Sequence, residues 1–384
     1  MIRATVGRYA VVALARPLFI TIAFASMIDS VIARANAAAL TPEQRAVVEK
    51  YNISEADQQK LFGSTAVAAN AAGSETQAKA SSRQTQPPTE TSVSPVPGFL
   101  SGTYVWAGVD SYKSVGDRIT NINGGTGALT GSFGGVAGFN SGLSFGESTF
   151  GIQAGASIGI YDFKGRLRLV PDATAPEQQV FYTAGLYKRG DMSTGDPSIA
   201  DRISLGFVYD GFQAERWGVN ANDISLGQVR GTLGVALSES TEVGVWGTYG
   251  VNSDRAAVTV AGAPGLLTTI RAMNQKNVYL KHNFDFGGEA MAYYGIFDDE
   301  DIAKWQLGVV GKVPLSDNWS TFASANYVAP RTPSGPLGSG QEQFSASIGI
   351  AYYFGGNATS KSVSGNKELP LLDVASNRSF LITD

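Results

Sequence analysis

One stretch near the end of the chain constrains the fold more than any other: Phe344-Ser345-Ala346-Ser347-Ile348-Gly349-Ile350-Ala351-Tyr352-Tyr353-Phe354. Phe344, Ala346, Ile348, Ile350, Tyr352 and Phe354 are apolar or aromatic, and Ser345, Ser347, Gly349, Ala351 and Tyr353 stand between them. Strict period two gives a strand with one greasy face and one small or polar face. The run is long for a soluble strand and matches the length that crosses a bilayer at a tilt. It stops at Gly355-Gly356.

Composition narrows the class. The chain has 46 glycines and only 16% charged residues, an unusual pairing for a soluble protein. No segment after residue 40 has the apolar run of a membrane helix, but a membrane β-protein hides its apolar residues at every second position. A net charge of -4 offers no basic face, so nucleic acid is not expected as a partner. With no cysteine there are no disulfides, thiolate metal sites, thiol nucleophile or acylated lipoprotein N-terminus. A single histidine rules out a multi-histidine metal site. No cofactor is expected.

Residues 1–39 read as a signal peptide. Arg3, Arg8 and Arg16 precede the apolar stretch Leu18 to Ile28, and small residues alternate from Ala33 to Ala39, which places cleavage near Ala35 to Ala39. Residues 40–62 read as a short helical periplasmic segment. Thr41-Pro42-Glu43-Gln44 supplies a cap, a proline at the first helical position and a capping-box glutamine. Residues 63–98, rich in Ala, Ser, Thr, Gln and Pro, read as a disordered linker that cannot bury enough surface to offset its ordering entropy. Residues 99–355 form the body, and 356–384 read as a flexible C-terminal tail in which Ser379-Phe380-Leu381-Ile382 could add a short strand.

The body reads as antiparallel strands at 102–109, 133–145, 149–162, 177–188, 201–210, 223–237, 241–251, 275–286, 289–298, 303–314, 318–329 and 342–354, about twelve in all within a range of 10–14. If Phe354 lies at one membrane face, the connections on that face are Gly146-Glu147-Ser148, 189–200, Ser238-Glu239-Ser240, Gly287-Gly288 and Leu315-Ser316-Asp317. All but 189–200 are short. Those on the other face, such as 110–132, 163–176, 211–222, 252–274 and 330–341, are long. A soluble sandwich gives no reason for this alternation, whereas a transmembrane barrel does. Phe145, Phe150, Phe286, Trp319 and Phe354 fall at the short-turn ends, and Tyr209, Tyr327 and Phe344 at the others. Aromatic rings gather at the two membrane interfaces in this way.

From 102 to 354 the chain therefore resembles a bacterial outer-membrane β-barrel of porin-like type. The resemblance implies an all-β transmembrane barrel in the cell outer membrane, surrounded by outer-membrane lipid and inserted by the barrel assembly machinery. Such barrels normally end on the terminal aromatic residue. This chain continues beyond Phe354, so recognition would have to be internal. Trp106-Ala107-Gly108-Val109-Asp110, Phe181-Tyr182-Thr183-Ala184-Gly185-Leu186-Tyr187 and Leu226-Gly227-Gln228-Val229-Arg230-Gly231 also look similar to an uncharacterised family of exported planctomycete proteins, which implies no activity.

Parity divides the side chains. Phe344, Ile348, Ile350, Tyr352 and Phe354 form the lipid face of the terminal strand, while Gln153, Asp210, Gln228, Arg230, Thr232, Lys281, Asn283, Asp285, Gln306 and Lys312 collect inside. Mixed charges at matching depth can line a narrow pore for small polar solutes, or pair across the lumen and plug it. About twelve strands lie between about eight, which side chains fill, and about sixteen, which leave a channel. Asp298-Asp299-Glu300-Asp301 is the densest charge cluster, a weak candidate for a divalent cation because it lacks the spacing and glycine of a calcium loop. His282 shares parity with Val278 and Leu280 and would face lipid, so no catalytic residue is assigned. The leading reading is a passive porin-like channel, the alternative is a closed structural or surface-interaction barrel, and the remote one is a hydrolase using His282.

Overall fold

The computed structural model describes residues 98–117, 131–145, 148–163, 175–192, 196–260, 263–298, 303–330, 342–365 and 367–383. The expected signal peptide, helical segment and all but the last residue of the linker lie outside the described residues, as do Gly146, Glu147, Asp299, Glu300 and Asp301.

A single helical turn, α1 (Gly98–Ser101), leads into the strands β1 (Thr103–Lys113), β2 (Ser132–Ser144), β3 (Phe150–Tyr161), β4 (Glu177–Lys188), β5 (Ile203–Trp217), β6 (Asn222–Ala236), β7 (Thr241–Gly250), β8 (Ser253–Val260), β9 (Ala263–Ala272), β10 (Gln275–Asn283), β11 (Glu289–Phe297), β12 (Ala303–Pro314), β13 (Trp319–Pro330), β14 (Gln343–Tyr353) and β15 (Ile382–Thr383). β1–β7 and β10–β14 close into a twelve-stranded antiparallel barrel, with β8–β9 set aside between β7 and β10. Closure is made by β1 on β14, in the register Tyr104↔Tyr353 and Val109↔Ile348. Each strand hydrogen-bonds on both sides, which leaves no open edge in the barrel wall.

The period-two pattern sets which side chains face outward. Ile152, Ile158, Leu205, Phe207, Leu233, Val245, Val278, Ile348 and Ile350 are exposed on the outer wall, while Gln153, Ser204, Asp210, Gln228, Asn277 and Gln306 are buried inside. Exposed apolar side chains on every side of a barrel with a polar interior make the surface that lipid solvates and water does not. On the terminal strand Ile348 and Ile350 are exposed. Phe344, Tyr352 and Phe354 are half-buried, with Tyr352 edge-on to Trp319 and Phe354.

Three departures from the sequence reading occur at the long-loop end. β5 and β6 run on to Trp217 and Asn222, so much of the segment 211–222 is strand rather than loop. The loop 252–274 contains the β8–β9 hairpin, which β15 joins to form a separate three-stranded sheet. β1 continues to Lys113. The inward alternation simply persists beyond the twelve-strand wall, carrying Phe212, Ala214, Ile224 and Leu226 into a core.

The largest departure is the C-terminal tail. It is built into the barrel, not flexible. After Phe354 the chain walks around the short-turn rim: Ala358 N–H donates to Asp317 O, Ser360 N–H to Gly287 O and Val363 N–H to Glu239 O. Met192 N–H then donates to Ser364 Oγ at 2.7 Å, and Lys367 pairs with Asp191 at 3.1 Å. From there residues 367–383 pass through the lumen to the opposite end, where Ile382 pairs with Ala272 of β9. Inner-wall glycines make room for this path: a Cβ at Gly142 would run into the Glu368 carbonyl, and one at Gly155 into the Val374 side chain.

Candidate functional site

The lumen is the site, and the tail is its occupant. Near the short-turn end Tyr187 Oη donates to Lys367 O at 2.9 Å. Arg189 donates from Nε to Leu369 O at 3.0 Å and from Nη2 to Pro370 O at 2.6 Å. Gln153 meets the tail with both ends of its amide. Its Oε1 accepts from Leu371 and Leu372 N–H at 3.0 and 3.1 Å, and its Nε2 donates to Leu372 O at 2.9 Å. Asn140 donates to the same carbonyl at 2.9 Å. Higher up, Thr183 Oγ1 accepts from Ala375 N–H at 2.9 Å, Gln228 and Gln275 donate to Ser379 O, and Gln343 donates to Ile382 O at 2.8 Å.

Two of the buried carboxylates, Asp210 and Glu242, gather basic side chains inside. Asp210, fully buried, accepts from Arg230 at 2.9 and 3.0 Å, from Gln228 at 3.0 Å and from Thr183 at 2.6 Å. Arg230 then spends its Nη2 on Asp373 O at 2.7 Å, tying the pair to the tail. A buried pair survives desolvation when its remaining donors and acceptors are satisfied in this way. Glu242 accepts from Tyr279 at 2.7 Å and Ser204 at 2.9 Å, with Lys281 Nζ at 3.4 Å. A third network joins Asp110, Tyr161 and Gln179 to Asn377 of the tail, with each contact to Asn377 near 3 Å.

Of the residues collected by parity, Gln153, Asp210, Gln228, Arg230, Asn283 and Gln306 are buried inside the barrel. Thr232, Lys281 and Lys312 line a cavity of about 190 Å³ beside the tail in the short-turn half. Lys312 Nζ sits 4.3 Å above the Tyr353 ring. Gln306 donates to Gln275 and Asn277, and Asn283 to Ser360. Asp285 is a correction: β10 ends at Asn283, and the chain turns from Phe284 to Gly288 through Gly287 at φ 88°, leaving Asp285 exposed outside the lumen. Asp298 pairs with Lys276 at 2.5 Å, and the rest of that acidic run lies outside the described residues. His282 lies on the outer wall with its Nδ1 3.0 Å from Thr241 Oγ1 and its ring edge-on to Phe284.

Sequence reasoning missed Glu242, Arg189 and Asp110. Glu242 shares one face of β7 with Gly244, Trp246 and Thr248, opposite the outward Val243 and Val245, so parity alone could have found it. Arg189 lies in a connection, where no periodicity marks it.

Residues 103–382 match the model of a family of unknown function (DUF6666), and the chain belongs to that family. The match runs through the tail almost to its end, so tail and barrel together make the family's unit. Its range includes Trp106–Asp110, Phe181–Tyr187 and Leu226–Gly231, but gives no support to a planctomycete link. No curated protein matches the chain. Among solved structures the fold is similar to outer membrane phospholipase A from Escherichia coli (7% identity, TM-score 0.37, 65% of this chain and 95% of that one). It is also similar to the NanC porin (9%, 0.35, 64% and 98%) and to the toluene transporter TodX of Pseudomonas putida (10%, 0.35, 65% and 89%). These likenesses are too distant to bear on activity. A closed antiparallel barrel with an apolar outer belt and polar interior is the architecture of outer-membrane proteins.

Proposed function

We propose that the protein is an outer-membrane β-barrel held closed by its own C-terminal tail, serving as a structural or surface-interaction barrel and not as a constitutively open pore. The short turns face the periplasm and the long loops, with the β8–β9 hairpin, face outward. One observation carries this reading: residues 367–383 thread the lumen and spend their backbone groups on its side chains. Half-exposed Phe354, where the barrel wall ends, is the point we assign to the assembly machinery.

The porin-like reading, a narrow passive channel for small polar solutes, keeps one observation in its favour. Two cavities of about 190 and 140 Å³ flank the tail, and both are lined by Tyr104, Lys312 and Asp373. On that reading the tail would have to move before solutes crossed. A hydrolase using His282, whose ring lies 3.0 Å from the Thr241 hydroxyl, is the remotest of the three readings.

Planar-bilayer recording of the full-length protein decides between the two. The closed reading expects insertion without steady conductance. Steady, ohmic conductance from the intact chain overturns it and leaves the porin.

A further inference from the structure

We infer that the lumen is a peptide-binding site, built to hold an extended backbone and filled in cis by the tail as a tethered, exchangeable ligand. The inference rests on the closed-barrel reading and goes beyond it, because a plug need not be recognised by a dedicated site.

Three observations carry it. First, most of the hydrogen bonds between wall and tail fall on the tail's backbone, with the Asn377 side chain the main exception. Gln153, Asn140, Arg189, Arg230, Gln228 and Gln343 all use side-chain amides or guanidinium groups against main-chain carbonyls or N–H groups of residues 369–382. Recognition through main-chain groups is how proteins hold extended peptides, with pockets for alternate side chains adding selectivity. Second, there is such a pocket. Phe380 enters between Phe181 and Phe212, with ring centroids at 6.1 and 5.4 Å, in a buried cluster with Trp217 and Ile382. Third, the chain between wall and ligand is a connector. Thr359, Lys361 and Gly365 are exposed on the short-turn rim, so a cut there leaves the lumen contacts intact. The chemistry identifies the ligand as an extended peptide with an aromatic side chain two residues before an aliphatic one, presented as Phe380-Leu381-Ile382.

The test starts from the full chain. A protease site inserted between Lys361 and Ser362 is cleaved after the barrel has assembled in detergent. The released fragment is washed out in mild urea, and a fluorescent synthetic peptide of residues 366–384 is added. Saturable binding is expected. A peptide N-methylated at both Leu371 and Leu372, which cannot donate to Gln153, and a Phe380→Ala peptide should each bind at least about tenfold more weakly, while Asp373→Asn should bind like the parent. The inference is overturned if the nicked barrel, still resistant to heat on gels, shows no saturable binding. Equal binding of the parent, N-methyl and Phe380→Ala peptides overturns it as well. Bilayer conductance of the uncut chain is independent of both results, so failure here is distinguishable from failure of the closed-barrel reading.

Discussion

At the long-loop end of the lumen Phe380 is buried among Phe181, Phe212, Trp217, Ile224 and Leu226, beneath the β8–β9 hairpin that supplies Ala256, Ile270 and Ala272. At the short-turn end the same tail presents Asp373, whose side chain is 60% exposed although it lies inside the barrel, beside Lys312, Glu289 and Arg378. One half is therefore sealed by a dry core and the other is charged and cavity-bearing. The barrel wall is continuous through both halves and the tail fills both, so the tail's hold in the upper half decides whether the barrel is closed, and the lower half contributes polarity and space.

The sharpest way to break this contrast lies at the boundary between the halves. Arg230→Leu leaves Asp210 buried with only Gln228 and Thr183 as donors, and loss of one partner of a buried pair costs about 3–5 kcal/mol. Heat-modifiability on gels should show a large fall in the melting midpoint, and adding Asp210→Leu should recover part of it. In the dry half Phe380→Ala removes the central ring of the cap, at a cost of about 3–5 kcal/mol for truncating a buried aromatic. Protease accessibility of the β8–β9 hairpin should rise with it. Asp373→Ala in the wet half should shift the midpoint little, because a mostly exposed carboxylate paired with Arg378 at 3.5 Å is worth about 0–1 kcal/mol. Equal effects of Phe380→Ala and Asp373→Ala would erase the distinction between the halves.

The outer wall gives a contrast of its own. Ile348→Arg puts a charge on the lipid face at a cost of about 2–4 kcal/mol near the midplane, whereas Ser347→Arg points into the cavity beside the tail. Membrane-inserted yield should fall for the first and hold for the second.

These contrasts also mark where the sequence was legible. All twelve barrel strands and the buried inward positions Gln153, Asp210, Gln228, Arg230, Asn283 and Gln306 follow from period two, because lipid on one side and polar groups on the other impose alternation residue by residue. Asp285 was misplaced because parity was carried past Asn283 into a turn that Gly287 makes possible. The tail was illegible for a different reason. Its partners are side chains such as Gln153 and Arg189 acting on main-chain carbonyls, and a carbonyl is present whatever the residue. Only Ser379 to Ile382 announced a strand, and β15 at Ile382–Thr383 is its trace.

The smallest expected effect tests the closure seam. Lys113, at the outer end of β1, donates to Glu342 Oε2 at 2.8 Å, and Tyr327 donates to Oε1 at 3.1 Å, so β1, β13 and the start of β14 are clasped at one carboxylate. The hydrogen bond from Lys113 holds the Glu342 carboxyl below its ordinary range. A carboxylate with a lowered folded pKa adds stability above its unfolded pKa and loses it as pH falls through the folded value. Glu342→Gln should therefore lower the melting midpoint slightly at neutral pH, by an amount within the about 0–1 kcal/mol of an exposed pair, and the difference from the unaltered chain should vanish in acid. A difference that persists unchanged below the ordinary carboxylate range would show that the clasp acts through packing and not through charge.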